Sequence, residues 1–235
     1  MMGGFAERLV ALRQRIARAC DAAARDPAAI ELLAVSKTRS IAELRTALAA
    51  GQIIFGENRV QELVEKAAAL AATQARWHMI GSLQTNKVRA LCELPGLVLL
   101  HCVDRPKLVA KLAEVCAELP RAIDVLLQVN ATGEAQKHGA RPDELAALAR
   151  DVLAQAPRLR LVGLMGMGPR AGEPRQVFTR IAALRSELQD RLGLPLPVLS
   201  LGMSADLEPA IAAGSTLLRI GSDLFGERRD PADRR

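Results

Sequence analysis

The sequence predicts an α/β protein in which eight parallel strands alternate with helices and close into a single (β/α)8 barrel. Eight short apolar runs rich in β-branched residues recur along the 235 residues, and stretches with helical spacing separate them. Eight βα units are what such a barrel requires. No linker rich in Pro, Gly or Ser divides the chain, so one domain is predicted over residues 1–235, with an ordered core from about 5 to 228 and a short basic tail. An open doubly wound sheet of eight strands is the alternative.

The predicted elements follow one another in strict alternation. Three predicted helices begin at a proline, which suits a first helical turn, and a glycine at position 51, 193 or 214 follows the end of a predicted helix, where a left-handed cap is expected. The predicted strands are Leu32–Ser36, Gln52–Phe55, Trp77–Ile80, Leu97–Val103, Ile123–Asn130, Leu159–Met165, Val198–Leu201 and Thr216–Ile220. The predicted helices are Phe5–Ala24, Ile41–Ala50, Asn58–Ala72, Gln84–Glu93, Pro106–Leu119, Pro142–Ala156, Pro174–Leu192 and Ala205–Ala213, with an irregular end over Phe225–Arg235.

Composition argues against several classes of protein. No stretch approaches the roughly 18 consecutive apolar residues of a membrane span, and the start has no apolar signal core, so a cytosolic protein without a membrane partner is predicted. The four cysteines form no CxxC pair or Cys/His cluster, which predicts buried thiols and no metal site. The net charge is +6, but the arginines are dispersed and aromatic residues are few, so no nucleic-acid partner is predicted.

Lys37 is the residue whose position most clearly indicates a chemical role. It follows the first predicted strand directly, whereas the other five lysines, Lys66 among them, lie in patterns where solvent is expected to hold the charge. A buried, unpaired ammonium is costly and tends to lose its proton, and a neutral amine is what Schiff-base chemistry with an aldehyde requires. The alternative is a strand-end lysine whose head reaches solvent or meets an acidic partner.

Two similar corners follow the seventh and eighth predicted strands. The first contains Gly202, Met203 and Ser204, and the second contains Gly221 and Ser222. Each offers a glycine for close backbone approach, a serine hydroxyl and amide groups. Such segments are also ordinary turns and caps, but (β/α)8 barrels commonly hold phosphate after these two strands. The pair therefore predicts a phosphate cradle at the mouth formed by the C-terminal strand ends.

Other polar residues are predicted at the same mouth. Arg219 lies inside a strand, where its planar fork suits a fixed acceptor such as a pyridine nitrogen. His78 is a candidate for contact with a ligand, although a lone histidine on an apolar strand is commonly a core residue. Glu57 and Asn58 are candidates to orient a ligand hydroxyl, and Asn58 also suits a helix cap. The histidines at positions 101 and 138 are predicted to be structural.

Six blocks, in order along nearly the whole chain, carry a family resemblance. They are LLAVSKT (32–38), FGENRVQE (55–62), WHMIGSLQTNK (77–87), GLM (163–165), GMSADLE (202–208) and AGSTLLRIGSDLFG (213–226). Together they resemble the pyridoxal phosphate homeostasis protein family. Two positions depart from its pattern, because Arg59 stands where tyrosine is often found and Ser82 where proline is often found. Neither lies on Lys37 or the two corners, so the departures concern only a partner or loop that depends on those side chains.

The resemblance implies a free-standing TIM barrel similar to the N-terminal domain of alanine racemase. It also implies pyridoxal 5′-phosphate (PLP) as the cofactor, held by Lys37 as a Schiff base, with Arg219 facing the pyridine nitrogen and the two corners holding the phosphate. The implied cofactor-binding residues are Lys37, Asn58, His78, Met203, Ser204, Arg219, Gly221 and Ser222.

The implied function is that of a PLP carrier in intracellular vitamin B6 and amino-acid homeostasis, without catalytic turnover. Apo forms of PLP-dependent enzymes are the candidate recipients, and a monomer is expected. A PLP-dependent amino-acid racemase is the first alternative, but racemisation needs a base on each face of the cofactor and the chain has no tyrosine. A Schiff-base aldolase acting on a sugar phosphate is the second alternative, and it leaves Arg219 unexplained.

Overall fold

Eight parallel strands form a closed barrel in which each strand neighbours the next in sequence. The computed structural model describes residues 4–134, 136, 138–155 and 157–226. The barrel closes where β1 pairs with β8, so the (β/α)8 prediction is confirmed and the open-sheet alternative is wrong. The strands are β1 (Glu31–Val35), β2 (Ile54–Glu57), β3 (Arg76–Met79), β4 (Leu97–Val103), β5 (Ile123–Gln128), β6 (Leu159–Met165), β7 (Val198–Ser200) and β8 (Leu217–Ile220).

Helices connect the strands on the outside of the barrel. The α-helices of the described residues are α1 (Phe5–Ala22), α2 (Ile41–Ala49), α3 (Val60–Ala69), α4 (Val88–Cys92), α5 (Pro106–Ala117), α6 (Leu145–Leu153), α7 (Pro174–Leu192), α8 (Leu207–Ala212) and α9 (Ser222–Phe225). Short 3-10 helices occur at Pro27–Ala29, Thr85–Lys87 and Pro142–Glu144. Ala156 and most of the segment predicted to be irregular, with its terminal arginines, lie outside the described residues.

The boundary error closest to the predicted site residues concerns β2 and α3. The strand extends through Gly56 and Glu57, which the sequence places in a loop, because the glycine faces the barrel interior; a Cβ there would lie 2.4 Å from Leu33 Cδ2. The helix then begins at Val60, so the prediction that Asn58 caps it is wrong. A glycine that breaks a strand pattern here marks close packing instead of a turn.

Alternation along the strands directs side chains to two different cores. Leu33 and Leu217 belong to the cluster inside the barrel, whereas Ala34 and Leu218 belong to the larger core between sheet and helices. Val35 packs against the inner cluster. Lys37 lies two residues beyond Val35 and therefore continues on the inward-facing side, at the barrel mouth.

Helix α1 covers the side of the barrel beside β8. The ring of Phe5 lies 5.1 Å from the ring of Phe225 in α9, and Arg15 forms ion pairs with Glu208 in α8 and Asp223 in α9. The helix predicted over Phe5–Ala24 therefore packs against α8 and α9 at the side of the barrel.

Two further observations bear on the classes of function considered above. All four cysteines are buried free thiols, as predicted. Among the described residues, no helix combines the length and apolar character that crossing a bilayer demands, and no group of three His, Cys, Asp or Glu residues has the geometry of a metal site.

Ser40 caps α2, and its contribution to stability can be tested. Glu43 N donates to Ser40 Oγ at 3.3 Å, and Ser40 N donates to Glu43 Oε2 at 2.7 Å, which completes a capping box. We expect Ser40→Ala to lower the free energy of unfolding by about 1 kcal/mol, because the Glu43 amide loses its acceptor. Ser40→Asp retains an acceptor and should cost less. Urea denaturation of both variants measures the difference, and equal losses would contradict the assignment.

Candidate ligand pocket at the barrel mouth

One cavity at the C-terminal ends of the strands brings together six of the eight predicted site residues. Its volume is about 310 Å³, within the range of small-molecule sites. The predicted residues that line it are Lys37, Met203, Ser204, Arg219, Gly221 and Ser222. Val35, Arg39, Ala205 and Gly226 complete the lining, and none of these was predicted. Lys37 and the two Gly-Ser corners therefore face a single space.

The two corners are fixed to each other and to α1. Asp223 N donates to Ser204 Oγ at 3.4 Å, and Arg15 Nη1 donates both to Ser204 O at 2.9 Å and to Asp223 Oδ2 at 2.7 Å. Gly202 has a φ of +89°, and a Cβ there would meet the Ala210 Cβ at 2.6 Å. Because only glycine accommodates both constraints, the first corner requires this residue.

The lining of the pocket suits an anion. Lys37, Arg39 and Arg219 contribute cationic side chains, and none of the described lining residues is acidic. The Arg39 guanidinium donates to Gly226 O and lies 5.5 Å from the centroid of the Phe225 ring, which fixes its position. Cations with two serine hydroxyls and glycine backbone are the donor set expected around a phosphate ester. The residues present therefore fit a small phosphorylated ligand.

The Arg219 guanidinium is held by backbone and side-chain oxygens of β7 and of the segment that follows β6. Its Nη1 donates to Ser200 O and to Ser200 Oγ, each at 2.7 Å, and its Nη2 donates to Gly166 O at 2.9 Å. Burial lowers the pKa of the guanidinium to about 10, a shift that Asp206 partly offsets, and the group stays protonated at neutral pH. The network directs a fixed cationic fork into the pocket.

His78 lies in the barrel interior and extends this network. His78 Nδ1 and His101 Nε2 are 3.0 Å apart, and His101 Nδ1 lies 3.1 Å from Ser200 Oγ. Burial, with a smaller contribution from Arg76, lowers the pKa of His78 to about 3. Burial likewise lowers the pKa of His101, and His78 and Arg219 add to that effect. Both rings are therefore neutral, and His101 has the polar partners that sequence spacing did not reveal.

Asn58 lines a neighbouring cavity at the same end of the barrel. That cavity of about 720 Å³ also includes Arg59 and Ser82, the two positions that depart from the family pattern, together with Lys87 and Arg105. The structure thus separates Asn58 and His78 from the pocket lining around Lys37, and their contact with a ligand stays a prediction.

The turn that carries Lys37 has an unusual backbone. Arg39 N donates to Ser36 O at 3.0 Å, so Lys37 and Thr38 are the central residues of a four-residue turn. Thr38 has a φ of +65°, which the turn requires but a β-branched residue adopts rarely, at a cost of about 1–3 kcal/mol. The surrounding structure must hold this conformation.

Lys66 corrects one expectation. Instead of reaching solvent, it is 5% exposed, and its Nζ donates to Ser36 O, Glu57 Oε1 and Glu62 Oε1, each at 2.7 Å. Glu57 points away from the barrel mouth into this cluster, so it does not orient a ligand in the pocket as was expected. Helical spacing gave no signal of burial, because two of the three acceptors, Ser36 O and Glu57 Oε1, lie at the ends of β1 and β2.

The match to known sequences defines the class of protein. The family described as the alanine racemase N-terminal domain matches residues 8–229, a range that includes every strand and the pocket. Relatives named pyridoxal phosphate homeostasis protein are 46% identical in Pseudomonas aeruginosa, 40% in Aquifex aeolicus and 39% in Homo sapiens. The matches cover 97%, 95% and 94% of this chain and 97%, 98% and 85% of theirs. The chain belongs to the pyridoxal phosphate homeostasis protein family, within the alanine racemase N-terminal domain family.

Solved structures agree with this assignment. PipY from Synechococcus elongatus, 36% identical, was solved without PLP and with PLP bound, with TM-scores of 0.83 and 0.82 over 94% of this chain and 100% of PipY. An alanine racemase from Corynebacterium glutamicum is 17% identical and has a TM-score of 0.69, over 97% of this chain and 62% of the racemase. The latter similarity shows a shared barrel fold.

Proposed function

We propose that the chain binds PLP in this pocket, holds it through a Schiff base to Lys37, and takes part in intracellular PLP and amino-acid homeostasis. The observation that carries the proposal is the convergence of Lys37, Arg219 and both Gly-Ser corners on one pocket whose described lining contains no acidic residue. The solved PLP complex of PipY supports the choice of ligand.

Different pocket residues would contact different groups of PLP. PLP would supply an aldehyde when bound, and the Lys37 amine is the pocket group that would hold it as a Schiff base, with the aldehyde oxygen released as water. Ser204, Ser222 and the adjoining backbone hold the phosphate. Arg219, fixed by Ser200 and Gly166, would present its cation to the ring nitrogen of PLP, and a cation at that position would disfavour protonation of the nitrogen and limit withdrawal of electrons into the ring.

The same lining argues for a carrier without turnover. Racemisation requires a proton donor or acceptor on each face of the cofactor. The chain contains no tyrosine, and no histidine or cysteine is among the described lining residues. An amino-acid racemase, the alternative, shares the barrel fold but would need a second base that this lining does not supply.

Reconstitution with PLP tests the proposal. We expect the purified protein to gain a visible absorbance band and, after borohydride reduction, a stable pyridoxyl group on the peptide that contains Lys37. An amine competitor added before reduction should remove the band, because the bond is reversible. A colourless protein with no pyridoxyl group on Lys37 would contradict PLP binding, and steady interconversion of L- and D-alanine would favour the racemase.

Apo PLP-dependent enzymes remain the predicted recipients of the cofactor. The predictions of a monomer, of one domain over residues 1–235 and of a cytosolic location also stay predictions. Transfer of PLP from the loaded protein to an apo enzyme, compared with transfer from free PLP at the same concentration, tests the first of them.

A further inference from the structure

A buried cluster of three charged residues lies behind the Lys37 turn. Lys66 on α3 contacts both Glu57 at the end of β2 and Glu62 on its own helix, and we refer to these three residues as the turn clamp. Glu57 is fully buried, Lys66 is 5% exposed, and the side chain of Glu62 is 23% exposed. Ion clusters this far from solvent are costly unless their hydrogen bonds are complete, so the position of this one calls for a reason.

The clamp bonds to the chain on both sides of Lys37. On one side, Ser36 Oγ donates to Glu57 Oε1 at 2.6 Å, and Ser36 O accepts from Lys66 Nζ. On the other side, Thr38 N donates to Glu62 Oε1 at 2.5 Å. The three N–H donors of the Lys66 ammonium are matched by these three oxygens, so its geometry is fully determined.

The bond from Thr38 N lies where the backbone is strained. A positive φ at the third turn position is adopted readily by glycine and with difficulty by threonine. Without an acceptor for its amide, Thr38 would relax towards a negative φ, and the Lys37 side chain would change direction.

We propose that the turn clamp is a positioning device, in which Glu62 and Lys66 hold Thr38 left-handed and thereby direct the Lys37 amine into the pocket. The expected consequence of the clamp, capture of PLP at Lys37, rests on the proposed function. The contacts of the clamp are present in the protein without PLP. Its residues touch the turn and do not line the pocket, so their effect on the amine passes through the backbone.

Glu62→Ala is the direct test, because Glu62 is the most exposed member and its loss leaves the Lys66–Glu57 pair intact. In the protein without PLP, we expect amide hydrogen exchange in the peptide around Thr38 to accelerate at least tenfold, an opening that should remain local. With PLP, the rate of borohydride-trapped capture at Lys37 should fall about tenfold or more, since small displacements of a reacting group are costly. Glu65→Ala, an exposed carboxylate on the same helix, should change neither rate.

A second substitution separates positioning from general loss of stability. Thr38→Gly should restore most of the capture rate in the Glu62→Ala background, because glycine adopts a positive φ without a clamp. Glu62→Gln retains an oxygen for the Thr38 amide, so its exchange and capture rates should stay close to wild type, and a large loss would overturn the proposal. If Glu62→Ala does not fold, Glu62→Leu, which removes the acceptor but fills more of the space, takes its place in both measurements.

The outcomes distinguish this inference from the proposed function. If wild-type protein captures PLP and Glu62→Ala captures it equally fast, or if exchange around Thr38 is unchanged, the positioning role is wrong. Failure of the glycine to restore capture would also overturn it. If wild-type protein captures no PLP on Lys37, the proposed function fails, and the exchange measurement still decides whether the clamp holds the turn.

Discussion

Lys37→Ala is expected to abolish the visible band and the borohydride-stable pyridoxyl group completely, and to weaken PLP retention at least about 100-fold, or about 2.7 kcal/mol. Capture depends on an amine held beside the aldehyde, and that proximity gives the condensation a high effective concentration. The corners and Arg219 remain in the variant, so weak, reversible binding of the phosphate should persist. Absorbance titration and equilibrium dialysis of wild type and variant measure the two effects.

Lys87→Ala is the matched control for this substitution. Lys87 lies at the same end of the barrel but lines the neighbouring cavity. Its loss should leave the band, the adduct and the affinity unchanged. If Lys37→Ala retained the adduct, or if Lys87→Ala removed it, the reacting amine would be a different one and the assignment of the site would be wrong.

The buried histidine pair should make the protein sensitive to mild acid. Burial lowers the pKa of His78 to about 3, whereas an unfolded histidine titrates near 6.5. Between these values the unfolded chain binds a proton that the folded protein does not, so stability falls as pH falls. The loss is up to about 1.4 kcal/mol per pH unit for His78, and His101, whose pKa is also lowered, adds to it. Above about pH 6.5 the pair should contribute no pH dependence.

Urea denaturation between pH 6.5 and 5.0 separates this effect from the titration of most carboxyl groups, which occurs at lower pH. The double variant His78→Gln/His101→Gln should show a much smaller change in unfolding free energy over this range than the wild type does. His138→Gln, which removes an exposed histidine, should retain the wild-type slope. Equal slopes for wild type and double variant would show that the pair is not buried in its neutral form.

The elements of the barrel were predictable because each carries a local signal. The boundaries of β4, β6 and α7 were predicted without error, since long apolar runs and a glycine after Leu192 mark them clearly. The end of β2 was misplaced because Gly56 resembles a turn residue; its real role, close packing against Leu33, depends on a neighbouring strand.

In the pocket, too, residues with a local sequence signal were predicted and residues whose role depends on distant contacts were not. Lys37 and the two corners were expected together, because each follows a strand and parallel strands end at one mouth. Arg39 and the Arg15 contacts were missed, since an arginine in a helix or turn gives no local sign of the group it will meet. The Arg15 bond to Ser204 joins residues that are 189 positions apart.

By itself, the sequence determined the alternation of strands and helices, the lysine at the end of β1 and the two Gly-Ser corners, because periodicity and residue type encode these locally. Only the tertiary structure decided which polar groups are buried and what satisfies them. Lys66 meets carboxylates behind the turn, and His101 meets a serine 99 residues away. The cost of burying such a group depends on partners that only the closed barrel brings within hydrogen-bonding distance.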